Sequence, residues 1–493
     1  MAVRRTCRSS RGLGAPTACA VAAVLSASIV AASPASAAAG KLVAYSSAES
    51  IALQPDGRIL VAGWTHRCDP DPEEPCVDPA VVVVRYLPSG RIDRSFGGGD
   101  GVVEIPAGGE HFRDEHPGIT GLAVQDDGKI VVGAVTGGPL SSLLVRLSAR
   151  GRLDRGFGGD GKVTTPFGSY VATESGNGLA VAADGSILVV GTRATSMIRG
   201  DFAAARYLPD GTLDPGFGAA GVASVHVMEG GVEQYEWGRA IALCPNGRIL
   251  LAGSADNGFV ATMAAAQLDA TGQPDEAFGE GGRATSTPVR QAAGPLDPST
   301  DALALAIQPD GSALLAGYRD VYLSLARLSE GGAPVSGFGD GGLAVSQTPD
   351  GEIATDVALQ GDRIVVTGPG SDIHPSYVVL IRYNDDGSWD QTFAQGTGLT
   401  HFKVAGFESA ARSLEIASGG RILAAGFVSS DECALARARS KGSSLCEAMT
   451  LLQLMPNGRL DPKFGRGGIV TTPRIDVCAK APTKRCRAGE RAV

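Results

Sequence analysis

Several features that mark large classes of proteins are missing from this 493-residue chain. Only 19% of its residues are charged and 5% are aromatic, and past the N-terminal region no apolar run is long enough to span a bilayer. A Gly-x-Ser-x-Gly elbow, a His-Glu-x-x-His helix and a Gly-x-x-x-x-Gly-Lys loop are also absent. The chain therefore lacks the signatures of a serine hydrolase, a zinc protease and a phosphate-binding loop, and we predict no cofactor.

The N-terminal segment predicts export. Four arginines within the first eleven residues precede an apolar run over 18–32, and Ala35-Ser36-Ala37 offers small residues for cleavage. We therefore predict a secretory signal peptide over 1–37 and a mature protein that is secreted or associated with the cell surface. A membrane anchor is disfavoured because the run is short and interrupted by serine, and both the general and the twin-arginine export routes stay open.

Excess positive charge is also missing. The whole chain carries −9, so removing the four signal arginines leaves −13. This balance excludes nucleic acid as a partner, because such binding needs Lys and Arg to neutralise phosphates. Only the tail over 473–493 is basic, with six basic and two acidic residues. We interpret it as a poorly ordered end, with attachment to an anionic envelope polymer as the alternative.

Cysteine is sparse but arranged in pairs. Nine are present, two of them in the predicted signal peptide. Six others form three sequence-local pairs that we predict to be loop-stapling disulfides of an oxidising compartment: Cys68 and Cys76, Cys433 and Cys446, Cys478 and Cys486. None has Cys-x-x-Cys spacing, which disfavours zinc. The remaining Cys244 ends an apolar run and is predicted to be a buried, inert thiol.

Glycine, in contrast, is abundant, and it recurs in a phrase such as LDRGFGGDG over 153–161. The phrase returns seven times, and its aromatic anchors are Phe96, Phe157, Phe217, Phe278, Phe338, Phe393 and Phe464. Each unit of about sixty residues holds four short apolar runs separated by turn residues. Four-stranded meanders that stack radially predict an all-β, seven-bladed β-propeller of four-stranded antiparallel blades over 38–472, with one Phe per blade wedged against its neighbour.

The repeat also resembles a known family. The pattern (D/N)G-(R/K)-ILVAG followed by RY-x-P-(D/S)-G-x-LD-x-x-FG-x-x-G is similar to the bacterial delta-60 β-propeller repeat, from Gly40 to Thr472. Two units depart from it, with Val335 in place of the Asp and Ala394 in place of the Gly after Phe393. The resemblance implies a propeller in an exported or surface protein and supplies no catalytic residues.

One terminal segment bears on ring closure. Residues 40–43, Gly-Lys-Leu-Val, resemble the fourth strand of a unit yet precede the first unit, which gives eight fourth-strand candidates for seven sheets. We therefore expect a strand from one end of the chain to complete the blade at the other end.

Candidate ligand residues fall in the long, irregular connections, which antiparallel order places on one face. They are His66, His111, Arg113, Asp114, Glu115, His116, His226, Tyr235, Trp237 and His374. The run over 111–116 has metal-ligating residue types but no recognised spacing, so a solvated polar loop is favoured. Tyr235 and Trp237 could form a sugar-stacking edge, or they could fold back over their own loop, and the second interpretation is favoured.

Two further series recur at fixed places in the units. The first consists of arginines, replaced by glutamine in two units, for which we predict a structural role, bonding backbone or the repeat's own Asp: Arg85, Arg146, Arg206, Gln267, Arg327, Arg382 and Gln453. The second consists of six first-strand alanines that fit crowding near the axis, broken only by Glu415, which we expect to line the channel.

These features predict a secreted, monomeric binding or scaffold module that holds an extracellular protein or polysaccharide on its long-loop face. A non-catalytic role is favoured. The alternative is a glycan hydrolase or lyase with its site at the propeller mouth, which would need two closely paired buried carboxylates or a metal cage. A purely architectural repeat protein is the third possibility.

Overall fold

The computed structural model describes residues 43–68, 77–106, 118–136, 141–166, 178–196, 199–228, 234–256, 261–286, 299–346, 352–370, 377–404, 408–429 and 447–472. Within these ranges the regular structure consists of 28 β-strands and two short 3₁₀ turns. No helix in these segments has the length and apolar character to cross a membrane. The predicted signal peptide and the basic tail lie outside the described residues.

The strands pair in seven consecutive groups of four, called blades 1 to 7 here. Blades 1 and 2 are β1 (Val43–Leu53), β2 (Ile59–Cys68), β3 (Val77–Tyr86), β4 (Val102–Pro106), and β5 (Ile119–Val124), β6 (Ile130–Thr136), β7 (Ser141–Leu147), β8 (Lys162–Pro166). Blades 3 and 4 are β9 (Leu179–Val181), β10 (Ile187–Ser196), β11 (Arg199–Tyr207), β12 (Val222–Val225), and β13 (Gln234–Leu243), β14 (Ile249–Asp256), β15 (Ala261–Leu268), β16 (Arg283–Thr285).

Blades 5 to 7 continue the same order. Blade 5 is β17 (Thr300–Ile307), β18 (Ala313–Arg319), β19 (Tyr322–Leu328), β20 (Leu343–Val345). Blades 6 and 7 are β21 (Asp356–Gln360), β22 (Arg363–Gly370), β23 (Tyr377–Tyr383), β24 (Leu399–Phe402), and β25 (Ser409–Ala417), β26 (Arg421–Ser429), β27 (Glu447–Leu454), β28 (Ile469–Thr471). The fold is the all-β propeller that the repeat predicts.

Tight turns join the first strand of a blade to the second. In blade 2, Gly128 adopts a φ of 79°, and its N–H donates to the carbonyl of Gln125 at 2.8 Å. The Asp127 carboxylate accepts the Lys129 N–H at 3.0 Å. An Asp or Asn followed by Gly therefore closes the turn with its own side chain and leaves it through the left-handed region.

The Asp-x-x-Phe-Gly phrase joins one blade to the next. Phe157 is fully buried, and its N–H donates to the carbonyl of Asp154 at 3.0 Å. Its ring lies against the turn of blade 3, where a Cβ added at Gly211 would be 2.9 Å from it. Gly158 N–H donates to the carbonyl of Asp210 in the same turn at 2.8 Å. The predicted wedge is thus confirmed, with a backbone hydrogen bond beside it.

The same inter-blade hydrogen bond recurs around the whole ring. Its other donors and acceptors are Gly97 to Arg150, Gly218 to Thr271, Gly279 to Gly331, Gly339 to Asp386, Ala394 to Asn457 and Gly465 to Ser89. The last of these joins blade 7 back to blade 1, and the Phe464 ring lies against Gly90 as Phe157 lies against Gly211. The seam between the chain ends is therefore built like the other six.

This seam corrects the expected strand exchange between the chain ends. Val43 belongs to β1, which pairs with β2 from Val43 opposite Cys68 to Leu53 opposite Ile59. At the other end, β28 pairs with β27 of its own blade. Of the segment 40–43 that resembles a fourth strand, residues 40–42 lie outside the described residues, and Val43 extends the innermost strand of blade 1. Every described blade takes all four strands from one continuous stretch of chain.

The hydrophobic core lies in the seams between blades. In the seam that closes the ring, Ile51 and Val61 of blade 1 pack with Leu423 and Phe464 of blade 7. In the next seam, Ala52 and Leu60 face Leu122 and Ile130 of blade 2. Alternate residues of a strand thus face opposite neighbours, which explains why central strands read as continuous apolar runs.

The recurrent arginines have the predicted structural role. Arg85 donates from Nε to Asp93 at 2.9 Å and from Nη1 to the carbonyl of Ala149 in the next blade at 2.6 Å, while its guanidinium lies 4.5 Å from the Phe96 ring. Arg146, Arg206 and Arg382 repeat this arrangement. Each arginine therefore joins its own Asp, its own Phe and the neighbouring turn.

Cys244 is buried, as predicted, and burial raises the pKa of its thiol. The disulfide candidates stay predictions. Cys68 ends β2, and its side chain is outside the description. The other five, Cys76, Cys433, Cys446, Cys478 and Cys486, lie outside the described residues.

Candidate functional site

We call the face that carries the connections from strand two to strand three and from strand four to the next blade the long-connection face. His111, Arg113, Asp114, Glu115, His116 and His374 lie outside the described residues. His66 lies in β2 opposite Tyr45, and its side chain is not described. The structure places side chains for His226, Tyr235 and Trp237; Tyr235 and Trp237 contact each other, and His226 belongs to a separate cluster.

Both groups lie near a short parallel pairing that joins blades 3 and 4. Arg199 and Gly200 of β11 lie opposite Gln234 and Tyr235 of β13, which links the two blades into one eight-stranded sheet. β13 starts early enough to pair with the third strand of the preceding blade. The pairing fixes residues 234–237 against blade 3 and positions the side chains described next.

One cluster lies on the blade 3 side of this pairing. His226, just after β12, has Nδ1 3.0 Å from Asp201 Oδ1 on β11 and 3.3 Å from Glu236 Oε1 on β13. These three ligand-type atoms lie within 4.8 Å of one another. Three strand segments from two blades thus place one imidazole and two carboxylates at one point.

Glu236 is the buried member of the cluster, with no exposed surface. Its carboxylate accepts the N–H of Val227 at 2.8 and 2.9 Å and the N–H of Met228 at 2.8 Å. Burial raises the pKa of Glu236 to about 7, against the lowering effect of these hydrogen bonds and of His226. The Glu236 carboxylate therefore fixes the backbone next to His226, and this backbone positions the His226 imidazole.

Asp201 and Glu236 were not predicted as site residues. Asp201 occupies a third-strand position at which the other six units carry Ala, Ser, Thr or Tyr, so its charge is a signal that unit-by-unit alignment could have found. Glu236 lies between Tyr235 and Trp237, and strand alternation turns it to the opposite side. Its role depends on the β11–β13 pairing, which the repeat does not predict.

A second cluster lies along the innermost strands of blades 4 and 5. Arg239 Nη2 is 3.2 Å from Asp301 Oδ2, and the Tyr318 hydroxyl donates to the same oxygen at 3.5 Å. The Arg239 guanidinium is 5.5 Å from the Trp237 ring, and the Tyr235 and Trp237 ring centroids are 4.4 Å apart. Arg239 lies at a β-bulge between Gly238 and Ala240, a device that re-aims a side chain.

Burial dominates the electrostatics of this second cluster. It raises the pKa of Asp301, although Arg239 and the hydrogen bonds to that carboxylate oppose the change. It also raises the pKa of the Tyr318 hydroxyl, and the Asp301 charge adds to that effect. A guanidinium, a carboxylate, a phenol and two aromatic rings are therefore held together beside the innermost strands.

Glu415 forms a third group with Asp356. It is half-buried, and burial followed by the Asp356 charge raises its pKa to about 7. Asp356 is buried and accepts hydrogen bonds from Ser413 Oγ at 2.9 Å and Leu414 N–H at 2.7 Å. Two carboxylates from the innermost strands of blades 6 and 7 thus interact, one of them accepting hydrogen bonds from two fixed donors.

A cavity of about 540 Å³ opens on the opposite, tight-turn face between blades 2 and 3. Its charged lining groups already have partners within the repeat. Asp127 pairs with Lys129, Arg146 with Asp154, and Asp184 accepts from Ser186. These groups complete turns and anchor blades, so the cavity offers a weaker case for a ligand than the long-connection face.

The family comparison agrees with the fold. The domain of unknown function (DUF5122) beta-propeller matches residues 54–72, 125–157 and 182–217, which lie in blades 1 to 3. No curated protein matches the chain. The match supports a β-propeller family and assigns no activity.

Several solved structures are similar to the chain at low identity. An ulvan lyase of a polysaccharide lyase family has a TM-score of 0.48 and 12% identity, covering 90% of this chain and 100% of its own. Polysaccharide lyase Uly1 has a TM-score of 0.47 and 14% identity, covering 83% and 89%. A catalytically inactive virginiamycin B lyase from Staphylococcus aureus has a TM-score of 0.39 and 9% identity, covering 79% and 93%. At these values the similarities carry no argument about activity.

Proposed function

We propose that the protein is an exported binding module that holds an extracellular polysaccharide on its long-connection face. The observation that carries the proposal is the Tyr235–Trp237 aromatic pair beside Arg239, Asp301 and Tyr318. The protein ligand that the sequence leaves open is the competing interpretation, and the experiment below separates the two.

Sugar rings suit this arrangement for a physical reason. A pyranose presents apolar C–H faces and a rim of hydroxyls, so its binding site needs an aromatic surface beside fixed donors and acceptors. Trp237 is half-buried, and the Arg239, Asp301 and Tyr318 groups are fixed by one another at 3.2 and 3.5 Å. Their positions come from adjacent rigid strands, which lowers the entropy cost of binding.

Net charge narrows the class of polysaccharide. The chain without its predicted signal peptide carries −13, which repels anionic polymers at long range. We therefore expect neutral glycans to bind more tightly than uronate or sulfated ones at low salt.

The test is a binding measurement on the secreted protein with a panel of soluble neutral and anionic polysaccharides. Trp237→Ala is expected to weaken binding of the retained glycan at least tenfold, which corresponds to about 1.4 kcal/mol. The matched control is Trp389→Ala, which removes another half-buried indole from the tight-turn face and leaves the affinity unchanged. Circular dichroism and Tm identify any loss caused by misfolding.

Two results would contradict the proposal. One is that no glycan of the panel is retained while a secreted-protein fraction is. The other is that Trp237→Ala binds as tightly as the native protein.

Glycan cleavage is the second candidate function, and the Asp356–Glu415 pair favours it. Glycoside hydrolysis uses two carboxyl groups, one of them an acid with a raised pKa, and Glu415, with its pKa of about 7, interacts with a second carboxyl group, that of Asp356. The measurement is release of reducing ends from the glycan that binds. Glu415→Gln should abolish the release and leave the affinity intact, and native protein that releases none would exclude catalysis on that glycan.

A further inference from the structure

We propose that Asp201, His226 and Glu236 form a binding site for one first-row divalent metal ion, best suited to Zn²⁺, which joins blade 3 to blade 4. This site does not depend on the proposed polysaccharide binding. It lies on the other side of β13 from Trp237, so the two can be tested by separate substitutions.

The spacing of the three side chains fits such an ion. His226 Nδ1 is 3.0 Å from Asp201 Oδ1 and 3.3 Å from Glu236 Oε1. Zinc bonds to nitrogen and oxygen measure about 2.0–2.2 Å, which places neighbouring ligand atoms about 3.0–3.6 Å apart. An ion could therefore replace the Nδ1 proton between the two carboxylates with small side-chain shifts.

The charge around the cluster favours a cation. Two carboxylates face a single imidazole, and Glu236 has no exposed surface. Within the part of the chain that the structure describes, His226 is the one basic side chain that pairs with either carboxylate. Arg193 lies opposite Asp201 in the strand pair, but its side chain is exposed. Burying a carboxylate is costly unless a positive charge compensates it, and a divalent ion would do so.

The surroundings already hold the three ligands in place. Val227 and Met228 N–H groups fix the Glu236 carboxylate, and Ser224 Oγ donates to Asp201 Oδ2 at 3.4 Å. Arg283 of blade 4 donates to the carbonyl of His226 at 3.2 Å. Such outer contacts orient ligands in metal sites and are a condition for tight binding.

The ligand types select the class of ion. One imidazole nitrogen with two carboxylate oxygens suits zinc or a neighbouring first-row metal, whereas calcium and magnesium prefer oxygen ligands alone. Three protein ligands leave a fourth zinc position for water or for an atom of a bound molecule. The ion would also reinforce the β11–β13 pairing, which spans two residue pairs.

The test uses tag-free secreted protein, stripped with a chelator and titrated with ZnCl₂ by calorimetry, with metal content measured separately. We expect one equivalent of Zn²⁺ to bind, a higher Tm with zinc, and no comparable response to CaCl₂. His226→Ala and Asp201→Asn should each weaken this binding at least tenfold and remove the zinc-dependent rise in Tm. The matched control, His401→Ala in β24, should retain both.

Two further measures separate the proposal from a folding failure and from zinc that binds elsewhere on the protein. Asp201 has a side chain that is 23% exposed, so its conversion to Asn is expected to fold even if His226→Ala does not. Anomalous diffraction at the zinc edge should place the ion against Asp201, His226 and Glu236. No zinc binding, or one equivalent that binds with unchanged affinity in both variants, would overturn the proposal.

Discussion

Glu415 shows how one residue can depart from its repeat. The equivalent first-strand residue is alanine in the other six units, because this position faces the next blade close to the axis. A carboxylate there is desolvated, and burial is the main cause of its raised pKa of about 7. Natural proteins keep such destabilising groups mainly where they serve a function.

Replacement of Glu415 by Ala, the residue of the other six units, is predicted to stabilise the protein above neutral pH. The folded-state pKa of about 7 exceeds the ordinary value of 4.5, so the folded protein binds this proton more tightly than the unfolded chain does. Stability is therefore lost as pH rises from 4.5 through 7. The loss is at most about 3 kcal/mol, from about 1.36 kcal/mol for each pKa unit.

Thermal melting of native protein and Glu415→Ala between pH 5 and 8.5 measures this effect. The variant's advantage in Tm should be small at pH 5 and should grow until about pH 8. Glu236 titrates in the same range, so the difference between the two proteins, and not the native curve alone, is the relevant quantity. A Tm difference that stays constant with pH would contradict the prediction.

Residues that recur could be predicted from the sequence, and residues that occur once could not. Phe157 belongs to a series of seven phenylalanines and Arg146 to a series of five arginines, and repetition at fixed spacing revealed both roles. Asp201 and Glu236 have no such series, and their meeting depends on a parallel pairing between two blades. The propeller was therefore accessible from the sequence, whereas the metal-type cluster within it required the structure.

At the scale of the blade, the six units that carry the Asp of the repeated phrase pair it with an arginine from one of two strands, or from both. In blade 1, Asp93 pairs with both Arg85 on the third strand and Arg58 at the start of the second. In blade 7, Gln453 replaces the third-strand arginine, and Arg421 at the start of the second strand pairs with Asp461 at 3.1 Å. Blade 4 makes the same exchange, with Gln267 and an Arg248–Asp275 pair. The second-strand arginine is thus essential only where the third-strand one is missing.

The same substitution should therefore have unequal effects in two blades. Arg421→Gln is predicted to destabilise the protein by about 1 kcal/mol, because it leaves the buried Asp461 without its cation. Arg58→Gln should cost a few tenths of a kcal/mol, because Arg85 still holds Asp93 and the lost pair with Asp56 is exposed. The two side chains have similar exposure, 46% and 35%, which makes them a matched pair.

Tm measurements on the two single variants and on the native protein decide the point. Equal losses, or a larger loss for Arg58→Gln, would show that the arginine of the third strand does not substitute for that of the second.

At the scale of the whole molecule, the described residues close the ring through side chains and turns, and each described blade keeps its own four strands. Besides the Gly465–Ser89 hydrogen bond and the Phe464–Gly90 contact, the Tyr86 hydroxyl of blade 1 bonds Thr472 of blade 7. The buried Tyr383 of blade 6 bonds Ser346 of blade 5 in the same way. In these contacts the seam between the chain ends has what the seam between blades 5 and 6 has.

Equivalence of the seams predicts that the chain can be opened elsewhere. In a circular permutant, a linker would join Thr472 to Val43. The linker would be as long as segment 107–117, which connects β4 to β5. The new chain ends would lie within segment 287–298, between blades 4 and 5. The contacts of Gly279 with Gly331 and of Phe278 with Gly332 would then hold the opened seam. We expect a folded protein with a Tm within a few degrees of the native value, as permutation between self-contained units is generally tolerated.

The control inserts the same linker into segment 287–298 of the native chain, which tests the linker without moving the ends. If the insertion is tolerated but the permutant fails to fold, the seam between blades 7 and 1 must differ from the others in a way that requires free ends. If both fold with native Tm values, closure is a property of the repeated Phe, Gly and Tyr contacts. The order in which the chain visits the blades would then be immaterial to the stability of the ring.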